Sequence, residues 1–116
     1  MNGTLPVNSN ISSKDHDFII SSAQEFLDGG YNLNPIITVL NVASCATIKA
    51  KPIYEHAWDK FTHAPAGSYD NPLIIQHGIV ETIIRQIENS LNSDHFDNRL
   101  HIDACYEDEA ITCHLA

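Results

Sequence analysis

Three stretches of the chain carry apolar residues at the three- and four-residue spacing of an amphipathic helix. The first covers about residues 14–28 and is followed by Gly29-Gly30, and glycine suits the left-handed position that ends a helix. The second covers residues 52–63 and the third residues 72–92. The apolar stripe of the third consists of Leu73, Ile79, Val80, Ile83, Ile84, Ile87 and Leu91. Its polar face carries Glu81, Arg85 and Glu88.

The segment between the first two helices has a different pattern. Asn34 stands where an N-cap is expected, and Pro35 occupies the first helical position. Residues 35–48 then place apolar side chains all round a helical wheel, which favours a helix buried on several sides. Their β-branched content also permits a buried strand, and periodicity alone does not decide between the two. We predict a helix because the cap is good and the run is long for a strand; Cys45 would then be a buried, inert thiol.

Near the C-terminus the apolar period changes to two, which is typical of a half-buried β-strand. The alternating apolar residues are Ile102, Ala104 and Tyr106, then Ile111, Cys113 and Leu115. A turn at Asp108-Glu109 that pairs Tyr106 with Ile111 would place all six on one face. Asp103 would then lie opposite His114 on the other face. The alternation therefore predicts an antiparallel hairpin with one buried side.

Together these patterns predict an α+β fold: a single small domain of about four helices with a C-terminal antiparallel β-hairpin. Residues 1–12 are rich in Asn and Ser without periodicity, so we expect a mobile N-terminal tail there. Residues 13–116 would form the globular domain. A chain of 116 residues with 43% hydrophobic content is long and apolar enough to bury a core.

The chain is strongly acidic. Its formal net charge is −9, from 15 acidic and 6 basic residues, which argues against direct binding to nucleic acid or to an anionic membrane. No apolar run approaches the roughly 18 residues that a membrane-spanning helix needs. Three cysteines form no even disulfide framework, and the first residues lack the basic and apolar segments of a signal peptide. We therefore expect a cytoplasmic protein.

The acidic residues are concentrated toward the C-terminus and suggest a binding surface. The candidate partner-binding residues are Asp94, Asp97, Asp103, Glu107, Asp108 and Glu109. A negative patch of this kind complements a basic protein surface, as in small immunity, antitoxin-like or phage anti-defence proteins. We predict a non-catalytic inhibitor or binding protein without a cofactor. The alternative is a homo-oligomeric structural protein, for example a homodimer that buries the apolar segment 35–48 or a free hairpin edge.

A second alternative is a metal site on the predicted hairpin. His101, Asp103, Cys105 and His114 share its polar face and offer ligand types that a divalent metal accepts. A flat strand face gathers ligands poorly, so a solvated strand is the favoured interpretation and no metal is predicted. Neither a phosphate-binding glycine loop nor a nucleophile motif occurs in the sequence, which favours a protein that is not an enzyme.

Overall fold

The computed structural model describes residues 13–64 and 72–116, in which four helices pack with a three-stranded antiparallel sheet. The helices are α1 (Ser13–Asp28), α2 (Asn34–Leu40), α3 (Lys51–Phe61) and α4 (Pro72–Leu91). The strands are β1 (Cys45–Lys49), β2 (Leu100–Cys105) and β3 (Ala110–Leu115), in the order β1-β3-β2. The predicted α+β class is confirmed. The tail predicted over residues 1–12 lies outside the described residues.

The three amphipathic helices form where their apolar spacing predicts them. α1 ends at the glycine pair, where Gly30 adopts a φ of +82° that favours glycine. α1 and α3 both pack on α4, whose predicted stripe is buried from Ile79 to Leu91, whereas Leu73 at its start is exposed. α1 approaches α4 closely at Gly78, because a Cβ there would lie 2.8 Å from Cδ1 of Ile19. Within the described residues, no helix is long and apolar enough to cross a membrane.

The predicted helix over residues 35–48 is wrong in its second half. The helix ends at Leu40, and residues 45–49 form the strand β1, which pairs with β3 along its whole length. Ala46 and Ile48 face the core while Cys45 is exposed on the outer face, so Cys45 is not the buried thiol of a helix. A strand forms here because it pairs with the edge of β3, which the hairpin alone would leave open. This stabilisation comes from a distant part of the chain and is not contained in local propensity.

The hairpin forms as predicted in its faces but not in its register. Ile102 pairs with Cys113 and Ala104 with Ile111, a shift of two residues from the predicted pairing. The connection is longer than a two-residue turn: residues 106–108 form a 3₁₀ turn, and Glu109 follows at a φ of +49°. A shift of two preserves the alternation, so the apolar side chains still face the core and the polar ones face out.

The outer edge of β2 is covered by side chains from α4 and the π-helical turn that follows it. The amide group of Asn92 donates to the carbonyl of Leu100 at 3.0 Å and accepts from its N–H at 2.8 Å. Glu88 accepts from the N–H of Ile102 at 2.8 Å, and Arg85 donates to the same residue's carbonyl. These side chains therefore pair with the backbone N–H and carbonyl groups of β2 as a neighbouring strand would. The face of α4 that was predicted to be exposed to solvent is thus partly in contact with the sheet.

Candidate functional site

The six candidate acidic residues do not form one patch. Asp94 and Asp97 lie in the turn before β2, and Asp103 lies on the outer face of that strand. Glu107, Asp108 and Glu109 form the connection between β2 and β3, which we call the hairpin tip. Six residues of extended strand, about 17 Å, separate the turn from the tip. A partner that contacts the tip therefore meets three adjacent carboxylates, and the other three are separate sites.

Backbone contacts hold the hairpin tip in one conformation. The N–H of Ala50 donates to the carbonyl of Glu109 at 2.8 Å, and the ammonium of Lys49 lies 3.4 Å from the carbonyl of Asp108. Among residues 13–64 and 72–116, no ion pair with lysine or arginine involves a carboxylate of the tip. Asp108 accepts a weak hydrogen bond from the Cys105 thiol, with a sulfur–oxygen distance of 3.3 Å. The tip thus presents three carboxylates that form no ion pair with a lysine or arginine of this part of the molecule, although the ammonium of Lys49 lies nearby.

A buried tyrosine anchors the two strands at the base of the tip. The hydroxyl of Tyr54, on α3, donates to the carbonyl of Ala110 at 2.7 Å and accepts from the N–H of Cys105 at 3.1 Å. Tyr54 is only 3% exposed. Burial raises the pKa of its hydroxyl above the usual value, so the group remains protonated and able to donate. One side chain on α3 therefore fixes the ends of both strands.

Tyr106 fills the space between the tip and α4. Its ring stacks on His77, with centroids 3.9 Å apart, and meets Tyr54 edge-on at 5.6 Å. Its hydroxyl donates to a carboxylate oxygen of Glu81 at 3.1 Å. Burial, followed by the negative charge of Glu81, raises the pKa of Tyr106. The sequence predicts Tyr106 in a strand, but the residue begins the turn and ties the tip to the helix layer.

Three of the four candidate metal ligands converge on the outer face of the sheet. One carboxylate oxygen of Asp103 lies 3.1 Å from Nε2 of His101, and the other lies 3.2 Å from Nε2 of His114. The two imidazole rings stack at 5.5 Å with 20° between their planes. His101 pairs directly with His114 across the strands, whereas Asp103 pairs with Thr112 and reaches His114 diagonally. The pairing of Asp103 with His114 that the sequence predicted is therefore wrong, yet the two side chains meet.

The three cysteines are free thiols in different environments. Cys105 turns toward Asp108 and does not join the histidine cluster. Cys113 is fully buried, and burial, followed by the charge of Cys45, raises its thiol pKa to about 12, so it is a poor nucleophile. Cys45 is exposed and lies directly across from His114 on the outer face.

The outer edge of β1 is open within the described residues. Ser44 accepts a backbone hydrogen bond from Leu115 of β3, and Ala50 donates one to Glu109 of the tip. The antiparallel alternation gives the backbone groups of Ala46 and Ile48 the same direction, toward β3. The backbone groups of Cys45, Thr47 and Lys49 consequently point away from the sheet. Among the described residues, 13–64 and 72–116, none forms a hydrogen bond with these outward backbone groups. The two sheet edges therefore differ, since side chains cover the β2 edge.

Sequence reasoning missed three contributors to these surfaces. Tyr54 was not among the candidate site residues, Glu88 was expected to face solvent, and Cys45 was expected in a buried helix. Each of these residues contacts a partner on a distant element. The partners of Tyr54 in the hairpin, for example, lie 51 and 56 residues away in the sequence. The local signal that existed was the alternation over residues 45–49, which places Cys45, Thr47 and Lys49 on one side.

No protein-family model, curated protein or solved structure matches the chain. The geometry and charge of the described residues are therefore the basis for assigning a function. Two surfaces stand out in that geometry: the acidic hairpin tip and the outer sheet face.

Proposed function

We propose that this protein is a non-catalytic binding protein that occupies a basic surface of a partner protein with its hairpin tip. Inhibitors of the immunity, antitoxin-like or phage anti-defence kind act in this way. The observation that carries the proposal is the rigid tip, where Glu107, Asp108 and Glu109 present carboxylates unpaired with any lysine or arginine of the described residues.

Rigidity of the tip favours binding because little conformational entropy remains to be lost when a partner docks. The tip is held by the hydroxyl of Tyr54, the stacked ring of Tyr106 and the backbone contact from Ala50. Ordering a flexible side chain at an interface costs about 0.5–1.5 kcal/mol, and ordering a loop adds to this. A loop that is already ordered avoids part of that cost.

The overall charge favours a basic protein as the partner. A net charge of −9 repels the phosphates of nucleic acid and attracts a positively charged protein surface over a Debye length of about 8 Å in the cell. Such attraction accelerates association more than it increases affinity. Three free thiols suit a reducing compartment, so we place the interaction in the cytoplasm.

A pair of charge-matched variants tests the proposal. Glu107→Gln with Asp108→Asn removes two charges from the tip, and Asp94→Asn with Asp97→Asn removes two from the opposite end of β2. Asparagine is compatible with the φ of +51° at position 97, so the control keeps its backbone. Each variant serves as bait in a lysate of the encoding organism, and the captured partner is then titrated at two salt concentrations.

The expected result is a basic partner that the wild type and the control bind alike and the tip variant binds about fivefold to thirtyfold more weakly. The estimate follows from exposed ion pairs worth up to about 1 kcal/mol each. Added salt should weaken the wild-type complex and affect the tip variant less. Equal affinity of the tip variant and the wild type for every captured partner would overturn the proposal.

The open β1 edge supports a second candidate function, self-association into a homodimer. Two copies could pair β1 with β1 antiparallel about Thr47 and so satisfy the outward N–H and carbonyl groups. Thr47→Pro removes an outward N–H but no backbone hydrogen bond to β3, because Thr47 and Thr112 form a non-hydrogen-bonded pair, and Thr47→Val is the control that keeps the N–H. Sedimentation should show a dimer for the wild type and the valine variant and a monomer for the proline variant. A monomeric wild type at high concentration would remove this candidate.

A further inference from the structure

We propose that His101, Asp103 and His114 form a binding site for a divalent transition metal, Zn²⁺ being the best match, on the outer face of the sheet. The three residues come from β2 and β3, and their ligand atoms lie within 4.8 Å of one another. The site goes beyond the proposed partner binding, because none of the three belongs to the hairpin tip. Its test is therefore separate from the test of the tip.

The spacing of the ligand atoms approaches that of tetrahedral coordination. Atoms bound to zinc at about 2.0–2.1 Å in tetrahedral directions lie about 3.3 Å apart. The two oxygens of Asp103 lie 3.1 Å from Nε2 of His101 and 3.2 Å from Nε2 of His114. These two contacts are made by different oxygens, and the three ligand atoms lie within 4.8 Å of one another, so the side chains must move closer together to share one cation. All three are accessible to a metal from solvent, since 59%, 53% and 42% of the side chains of His101, Asp103 and His114 are exposed.

A carboxylate behind His101 prepares this imidazole to act as a ligand. Oε2 of Glu88 lies 3.4 Å from Nδ1 of His101, on the opposite side of the ring from Asp103. Glu88 is itself fixed, because Arg85 donates to both its oxygens at 2.8 and 2.9 Å and Ile102 donates its N–H. Metal-bound histidines commonly have a carboxylate at the second nitrogen, which selects the tautomer whose other nitrogen is free to bind the metal. A carboxylate that orients the imidazole is therefore expected at a metal site, whereas an ordinary contact between two surface side chains does not require one.

The ligand types indicate which metal the site prefers. Two imidazoles and one carboxylate suit zinc and its neighbours in the first transition row, whereas magnesium and calcium prefer oxygen ligands. Three protein ligands leave a position open. The register places Cys45 on the same face, across from His114, but its thiol lies outside the cluster of ligand atoms, so we assign the open position to water.

Titration calorimetry of tag-free, chelator-treated protein with Zn²⁺ tests the site. The ligand variants are His101→Ala, Asp103→Asn and His114→Ala, and the control is His16→Ala, an exposed histidine on α1. We expect one equivalent of zinc to bind to the wild type and to the control with the same affinity. Each ligand variant should lose at least about a hundredfold in affinity, while circular dichroism shows that it remains folded. Absence of binding to the wild type, or wild-type affinity in the ligand variants, overturns the site.

Two further measurements test how the site is built. Glu88→Gln leaves all three ligands in place and should weaken zinc binding by about tenfold to a hundredfold. Unchanged affinity would show that Glu88 does not orient His101. Cobalt titration then examines the fourth ligand, because a cobalt–thiolate bond gives a near-ultraviolet charge-transfer band. Cobalt binding without a band supports water in the fourth position, and a band that Cys45→Ser abolishes overturns that assignment.

Discussion

The hydroxyl of Tyr54 holds the hairpin in place, and Tyr54→Phe removes it without changing the shape of the side chain. The hydroxyl contacts the carbonyl of Ala110 at 2.7 Å and the N–H of Cys105 at 3.1 Å in a buried setting. Each backbone group that loses such a partner costs about 1–3 kcal/mol. Two groups lose their partner, so we expect Tyr54→Phe to lower the free energy of unfolding by about 2–6 kcal/mol, a large part of the 5–15 kcal/mol typical of a domain.

Urea denaturation followed by fluorescence measures this loss, and thermal melting should show a midpoint lower by about 10 °C. The control is Tyr31→Phe, because the structure shows no hydrogen bond from the Tyr31 hydroxyl within the described residues. We expect a change below about 0.5 kcal/mol for the control. Amide exchange at Cys105 should accelerate only in Tyr54→Phe. An equal, small loss in both variants would show that the two backbone groups find another partner, and it would refute the anchoring role.

Three further predictions concern the covered sheet edge and the thiols. Asn92→Ala leaves the N–H and carbonyl of Leu100 without their side-chain partner and should cost about 2 kcal/mol in urea denaturation; Asn92→Asp, which keeps only the acceptor, should cost less. Because burial holds the pKa of Cys113 at about 12 against an ordinary 9.0, the unfolded chain loses this proton first, so stability should fall as pH rises from 9 toward 12. The free energy of unfolding should fall by up to about 1.4 kcal/mol per pH unit. An equally steep fall in Cys113→Ala would show that other groups cause it. A thiol reagent should label Cys45 and Cys105 in the native protein and Cys113 only after unfolding, and rapid native labelling of all three would contradict its burial.

Much of the fold follows from local patterns. α1, α3 and α4 form where apolar residues repeat at helical spacing, and the glycine pair ends α1 as predicted. The hairpin places Ile102 and Cys113 inward and His101 and Asp103 outward, as alternation predicts. Periodicity predicts these positions correctly because it depends only on which face of a helix or strand is buried. The residues of that element themselves record which face this is.

The candidate metal cluster was only partly predictable for the same reason. Alternation assigns His101, Asp103, Cys105 and His114 to one face, and three of these converge. It does not say how far along the strand each lies from the others, which depends on the register. The 3₁₀ turn after Cys105 sets that register, so His101 rather than Asp103 pairs with His114. Glu88, whose carboxylate lies 3.4 Å from Nδ1 of His101, belongs to α4 and not to the sheet.

By itself, then, the sequence determined the helical stripes, the inward and outward faces of the hairpin and the excess of negative charge. Only the tertiary structure decided that residues 45–49 form a strand, that α4 side chains cover the β2 edge, and that Tyr54 joins α3 to the hairpin. The difference is physical. Periodicity records the environment of each side chain along one element, whereas pairing and hydrogen bonding depend on which distant element supplies the partner.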